Sequence, residues 1–237
     1  MFYTIKKKHI IIALAVIFAV VGVIGGAAGY RAVTTGRTQG GMTIVIDAGH
    51  GGRDGGVTGV NTGIRESDLN LAIARSLRHF FVMHGYNVVM TRETQAGLYG
   101  AAPQGRRKTA DMEARRQIIN RASPDLVISI HLNSFPSKSV RGAQVFFSHR
   151  AEGGIIEVAR SIQTSLNNSL EASTRQAARG DYFILDSTEY PSVLVEGGYL
   201  TNPEDERLLI TAAYQERLAY AIFCGVHMLV VNGQWPF

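Results

Sequence analysis

Cysteine is nearly absent from this chain. Cys224 is the only one among 237 residues, so no intramolecular disulfide can form and stability must come from a packed core. It lies in an apolar run with Leu218, Ile222, Met228 and Leu229, with no thiolate-stabilising pattern around it. That setting reads as a small buried hydrophobe and not as a nucleophile. Acidic residues are absent from positions 1–41, which carry Lys6, Lys7, Lys8, Arg31 and Arg37. The other 19 basic residues equal the 19 acids, so residues 42–237 are formally neutral despite a net charge of +5. A nucleic-acid partner needs a basic face on the folded body, and the sequence offers no strong one, so no nucleic acid is expected. Also missing are a phosphate-binding P-loop, a Gly-x-Ser-x-Gly nucleophile elbow and a His-Glu-x-x-His helix, which sets aside three common enzyme classes. No internal repeat stands out. A hydrophobic content of 46% argues against disorder and against a polytopic membrane protein.

One long apolar run is present. Ile10 to Tyr30 carries no charge and follows Lys6-Lys7-Lys8. About 20 apolar residues suffice to span a bilayer, and the lysines favour a cytoplasmic N-terminus. A cleaved signal peptide usually has a shorter apolar region of about 7–15 residues, although Gly26-Ala27-Ala28 would pass as a cleavage site. The expectation is a cytoplasmic basic segment (1–9), a transmembrane signal anchor (10–30), a polar linker (31–41) and an extracytoplasmic domain (42–237). The protein would then sit in the cell membrane through one N-terminal helix, or be secreted if that helix is removed.

From Met42 onward, apolar β-type runs alternate with helical patterns. Strands are expected at 43–47, 86–91, 125–131, 143–148 and 192–196, with a weaker one at 182–185. Leu69, Ile73, Leu77 and Phe81 repeat at helical spacing, with Ser67 and Asp68 as start signals. The same spacing recurs in Ile155, Ala159, Ile162, Leu166 and Leu170, and again in Tyr214, Leu218, Ile222 and Met228. A shorter helix is expected at 110–122, starting near Thr109 or Asp111. Such alternation predicts an α/β fold: a single domain with a mixed, mostly parallel sheet flanked by helices.

Three of the strands end in groups that bind metals or move protons. Ile44-Val45-Ile46-Asp47-Ala48-Gly49-His50 delivers His50, Ile128-Ser129-Ile130-His131 delivers His131, and Val193-Leu194-Val195-Glu196 delivers Glu196. Ligands of open α/β sheets bind beyond the carboxyl ends of the strands. A catalytic zinc takes three protein ligands and keeps one position for water. His50 and His131 supply two, and Glu66, between a glycine-rich loop and the first helix, fits as the third. Asp54 and Asp68 compete for that place; Asp54 suits a turn and Asp68 suits a helix cap. Zn2+ would lower the pKa of its water toward about 7, and Glu196 would take the proton and return it to a leaving nitrogen. Asp47 either orients His50 or is an ordinary strand-end residue. Gly49-His50-Gly51-Gly52-Arg53-Asp54 resembles a dinucleotide loop but has Asp54 at the third glycine position and no helix opening there. His79 and His84 do not share a helix face, and His9, His149 and His227 have no ligand-spaced companions. The loop 92–108 carries Arg106, Arg107 and Lys108, which fit either a substrate's carboxylates or a solvated charge run.

The constellation resembles the zinc-dependent N-acetylmuramoyl-L-alanine amidases. The residues that carry the likeness are Ile46 to Gly52, Glu66 with Leu69-Asn70-Leu71, Thr91-Arg92, Arg115 with Asn120, Ser129 to Ser134, and Val195 to Asn202, over roughly 42–232. Arg107-Lys108 with Asp111 and Arg115, His131 to Ser137, and Gly142-Ala143-Gln144 are similar to the germination-specific, spore-cortex branch. Gly197-Gly198 after Glu196 departs from many relatives, which place a bulkier residue first. The resemblance implies a six-stranded sheet, a zinc held by His50, Glu66 and His131, and Glu196 as the catalytic glutamate. It implies hydrolysis of the amide between N-acetylmuramic acid and L-alanine of peptidoglycan stem peptides. In the cortex branch this permits muramic-δ-lactam formation, required for germination. The implied partners are peptidoglycan glycan strands and stem peptides; the sequence names no accessory protein. The rival readings are a zinc carboxypeptidase or endopeptidase acting on stem peptides, and a non-catalytic wall-binding protein on the same fold.

Overall fold

The computed structural model describes residues 41–170 and 174–237. The basic segment 1–9, the span expected at 10–30 and all but the last residue of the linker expected at 31–41 lie outside the described residues. Among the described residues, no helix is long and apolar enough to cross a membrane.

Six strands form one sheet: β1 (Thr43–Ala48), β2 (Asn87–Met90), β3 (Leu126–Asn133), β4 (Gln144–Ser148), β5 (Ala178–Gly180) and β6 (Ser192–Tyr199), in the order β2-β1-β3-β6-β4-β5. Every neighbouring pair is parallel except β4 with β6. The helices are α1 (Glu66–Met83), α2 (Arg107–Ala122), α3 (Gly154–Ser169), the short α4 (Phe183–Asp186), α5 (Pro203–Leu209) and α6 (Ala212–Val231). A 3-10 turn at Gln104–Arg106 leads into α2.

Strand side chains alternate between faces, and the two cores follow that alternation. Ile44, Ile46, Ile128, Ile130, Val193 and Val195 pack in the larger core with Leu69, Ile73 and Leu77 of α1, Ile162 and Leu166 of α3, and Leu218 and Ile222 of α6. Val45, Val127 and Leu194 face the other way, against Ile119 of α2 and Ile184 and Leu185 of α4. A side chain two residues on keeps its face. Asp47, Ser129, His131 and Glu196 therefore all look toward the α2/α4 side, above the smaller core. There α2 buries a polar stripe, Asp111 and Arg115 with Ile119, which no hydrophobic periodicity announces.

α6 packs closely across α3. Gly225 lies against the Ile162 backbone, and a Cβ there would come within 2.5 Å of the Ile162 Cα. Ser161 Oγ donates to the Gly225 carbonyl at 2.6 Å across the same contact.

Several expectations are corrected. The weaker strand expected at 182–185 lies instead at 178–180, as β5; residues 183–186 are a helical turn whose Ile184 and Leu185 are buried side by side. Consecutive buried residues fit a helix end against a core better than an alternating strand. α2 begins at Arg107, not near 110. α1 begins at Glu66 with no side-chain cap, so Asp68 does not cap it; an acid in the first turn suits the helix's positive end. α5 is an addition to the expected elements, although Asn202-Pro203 announces it. The Asn202 side chain accepts from the Glu204 and Asp205 amides, and Pro203 occupies the first turn. β3 and β6 run past His131 and Glu196 to Asn133 and Tyr199, so both residues are inside strands rather than at their ends.

Candidate metal centre

β1 ends in a loop that turns sharply at His50, whose φ is 60°. Few residues other than glycine adopt that left-handed conformation, so the surroundings must hold it. Two buried arginines do so. Arg115 Nη1 donates to the Ala48 carbonyl at 2.8 Å, and its Nη2 donates to the His50 carbonyl at 2.5 Å. Arg92 donates from Nε to Ala48 and from Nη2 to Gly49, each at 2.9 Å, and also to the Ser67 carbonyl at 2.8 Å. Three consecutive carbonyls thus turn toward guanidinium groups, which leaves the His50 ring free to face α1.

Glu66 meets that ring. His50 Nε2 is 3.2 Å from Glu66 Oε1, and His131 Nδ1 is 3.1 Å from the same oxygen. The two rings lie 4.9 Å apart, edge to face, and one ligating atom from each of the three residues falls within a 4.8 Å cluster. Glu66 is 1% exposed and tightly held. Oε1 also accepts from the Leu132 amide and from Asn70 Nδ2, each at 3.1 Å, and Oε2 accepts from the Val57 amide at 2.9 Å. Gly49 must lack a side chain, since a Cβ there would run into the His131 ring.

The electrostatics suit a cation. Burial raises the Glu66 pKa, but hydrogen bonds from both imidazoles outweigh it and hold the group well below the usual carboxylate range. Burial lowers the His50 pKa, yet Glu66 and then Asp54 push it up to about 9. Two imidazoles converging on one carboxylate oxygen hold a proton between them or give way to a metal ion, and a pair of histidines with one carboxylate is a donor set that zinc accepts. The residues present therefore fit the group.

Glu196 is the register partner of His131 across β3 and β6. It is 6% exposed, and its Oε2 is buried without a hydrogen-bond partner among the described residues. Burial pushes its pKa up to about 7; the Glu66 charge adds to this, while His131 and His50 oppose it. A buried carboxylate left without a donor and poised near neutrality is unusual for a structural residue and suits proton transfer.

The role considered for Asp47 falls to another residue. Asp54 Oδ1 lies 2.9 Å from His50 Nδ1 and so orients the ring from behind; Asp54 also caps its own turn, accepting from the Gly56 amide at 3.1 Å. Asp47 accepts from Thr91 Oγ1 at 2.7 Å, Ser129 Oγ at 2.6 Å and Arg115 Nη1 at 2.5 Å. Burial alone would raise its pKa, but Arg115, Ser129 and Thr91 lower it to about 2. Asp47 thus acts on His50 only through Arg115. Asp68 stands in the first turn of α1, outside the ligand cluster. Arg92, Arg115 and Asn70 enter the sequence reading only as parts of a likeness, without a role. The i, i+4 pair Asp111–Arg115, joined at 2.7 Å, was the available signal. Away from the centre, His84 and His227 meet with rings 5.0 Å apart beside Phe223, a proximity their sequence spacing does not suggest.

A cavity of about 490 Å³ opens beside His50 and His131. Its lining includes Met112, Phe183 and Ile184, and also Arg53, Tyr99, Arg107 and Lys108, of which Arg53 and Arg107 both meet Tyr99 to form one wall. Arg106 does not line it, although the sequence placed it with Arg107 and Lys108.

A family model described as N-acetylmuramoyl-L-alanine amidase matches residues 44–228. The germination-specific N-acetylmuramoyl-L-alanine amidase of Bacillus subtilis is 39% identical over 194 residues, 78% of each chain. The N-acetylmuramoyl-L-alanine amidase AmiA of Escherichia coli is 30% identical over 236 residues, spanning 80% of this chain and 76% of that one. Among solved structures, the CwlD amidase from Clostridioides difficile, in complex with the GerS lipoprotein, aligns with a TM-score of 0.76 at 32% identity, over 79% of this chain and 97% of that chain.

Proposed function

We propose, for a chain that belongs to the N-acetylmuramoyl-L-alanine amidase family, that the activity is that of a zinc hydrolase of the spore cortex. The observation that carries the zinc reading is the convergence of His50 Nε2 and His131 Nδ1 on one oxygen of Glu66. When bound, zinc supplies Lewis acidity, polarising the scissile carbonyl and acidifying a water.

The chain's own residues do the rest. Glu66, fixed by three N–H donors, and the two imidazoles hold the metal. Asp54 keeps His50 in the tautomer that presents Nε2. Glu196 accepts the proton of the attacking water and returns it to the amide nitrogen as the bond between the lactyl carbonyl and L-alanine breaks. Burial raises its pKa above the ordinary carboxylate range, which favours its holding the proton between the two halves of that transfer.

The identity to a relative named germination-specific supports a role in cortex maturation. There, removal of stem peptides precedes muramic-δ-lactam formation. A cortex substrate places the enzyme outside the cytoplasmic membrane, and the lysine-flanked run at 10–30 would anchor it there. Two measurements test the proposal. The purified protein should bind one equivalent of zinc, lost on replacing His50, Glu66 or His131 by alanine. Spores lacking the protein should contain no muramic-δ-lactam. Zinc binding that survives all three substitutions, or an unchanged δ-lactam content, refutes the corresponding half.

A further inference from the structure

The cavity beside the metal centre is lined by charges of both signs. Its three acids are already engaged: Asp47 with Arg115 at 2.5 Å, Asp54 with His50 at 2.9 Å, and Asp111 with Arg115 at 2.7 Å and with the Leu98 amide at 2.5 Å. Of the cations on its rim, Lys108 reaches Asp54 only through its charge, and Arg107 spends one long bond, from Nε to the Ala102 carbonyl at 3.4 Å. Among the described residues, no carboxylate pairs with Arg53, Arg107 or Lys108 within 4.0 Å, whereas Arg78, Arg116 and Arg207 on the open surface each have a glutamate partner.

This wall is built rather than loose. Tyr99 stands in it as a post. Its hydroxyl accepts from the Arg53 amide at 3.0 Å, and Gly52 and Gly97 press against its side chain so closely that neither has room for a Cβ. The Arg107 guanidinium lies over the Tyr99 ring, 5.5 Å from its centre. A guanidinium stacked on an aromatic face has less freedom to lose on binding, and with Nε spent on Ala102 the two terminal nitrogens of Arg107 remain to donate. Arg107 and Lys108 are also the first two residues of α2, whose first turn holds no acid, so the helix dipole opposes them instead of offsetting them.

Three cations with no carboxylate in salt-bridge contact, beside a scissile amide, call for an anion near that amide. The glycan side of the substrate offers none there, because the lactyl carboxyl is consumed in the amide itself. The anion must belong to the peptide. We propose that Arg53, Arg107 and Lys108 read a free carboxylate on the residue following the alanine, and that the enzyme discriminates against stems in which this group is a primary amide. This rests on the amidase reading and adds a specificity to it.

The test uses two soluble glycan-strand preparations bearing L-Ala-γ-D-Glu-L-Lys stems. They differ only in the glutamate α-carboxyl, which is free in one and amidated in the other. The zinc-loaded protein should show kcat/KM at least about tenfold higher for the acid, as charge-assisted hydrogen bonds warrant. Raising the salt should shrink that preference. Arg107→Gln with Lys108→Gln should bring the ratio close to one, while Arg116→Gln, on the same helix but outside the cavity, should retain it. Equal cleavage of both strands by the unaltered protein overturns the inference and leaves the amidase reading standing. So does a preference that survives in the double variant. Cleavage of neither strand overturns both.

Discussion

His131 and Glu196 sit side by side on adjacent parallel strands, on the same face of the sheet. The first looks to Glu66 and the second has a buried oxygen with no partner. Sheet register, rather than any loop, therefore sets the spacing between the proposed ligand His131 and the carboxylate proposed to move the proton. A site built on strands is held more firmly than one built on loops.

Zinc affinity should rise with pH. In the metal-free site His50 has a pKa raised to about 9, so near neutrality zinc must displace its proton. The apparent Kd should fall roughly tenfold per pH unit between 7 and 9 and level off above. The same shift has a stability consequence: the pairing of protonated His50 with Glu66 and Asp54 supports the metal-free fold fully below pH 6.5 and is lost as pH rises through about 9. Chelator competition from pH 6 to 9 measures the affinity. A flat profile contradicts the account.

Asp54 and Asp47 should separate cleanly. Asp54→Ala removes the partner of His50 Nδ1 and should weaken zinc binding by about 10–100-fold, with little loss of stability once His50 is neutral, above about pH 9. Asp47→Asn should instead destabilise the fold. The Asp47 carboxylate is depressed, so its contribution, about 2 kcal/mol, is present above pH 3.8 and lost as pH falls toward about 2. Acid unfolding of both variants, beside their zinc titrations, checks this assignment. Equal effects of the two substitutions on zinc affinity would count against it.

Arg115→Met should cost about 3–5 kcal/mol, because it leaves Asp47 charged, buried and short of its principal partner. Adding Asp47→Asn should recover part of that loss, with a coupling of about 0.5–3 kcal/mol. Urea denaturation of the two single variants and the double variant measures it. Strict additivity would show that the pair is not a unit.

Gly225→Ala tests the α3–α6 contact. The new Cβ meets backbone, which cannot rotate away, so the helices must separate at a cost of about 1–3 kcal/mol. Denaturation with zinc affinity unchanged is the expected outcome. A neutral or stabilising substitution would mean that the helices are not packed as described.

The legible part of the sequence was the part written in alternation and in donor type. Ile44 to Ile46 and Val193 to Val195 announce buried strands, and His50 just past β1, His131 within β3 and Glu66 at the start of α1 are rare donor types in their settings. The supporting residues were hidden because their signal is polar. Arg115 is 1% exposed, and the inward stripe of its helix, Asp111-Arg115-Ile119, looks like a solvent face in a hydrophobicity pattern. Asp54 looks like a turn residue because it is one; its second task needs the ring of His50 four residues back. β5 has three residues and a single neighbour, too little for a period-two pattern to register. Ile184 and Leu185, which suggest a strand, are the apolar end of a helical turn.

The most direct test of the account is the chemistry at the bond. Purified peptidoglycan incubated with the zinc-loaded protein should release peptides whose new amino terminus is L-alanine, leaving unsubstituted lactyl groups on the glycan. Glu196→Gln should retain zinc yet lower this release by about 10²–10⁴-fold, and chelation should abolish it. Shortened stem peptides without a free alanine terminus would contradict the account, as would undiminished release by the Glu196→Gln or zinc-stripped protein.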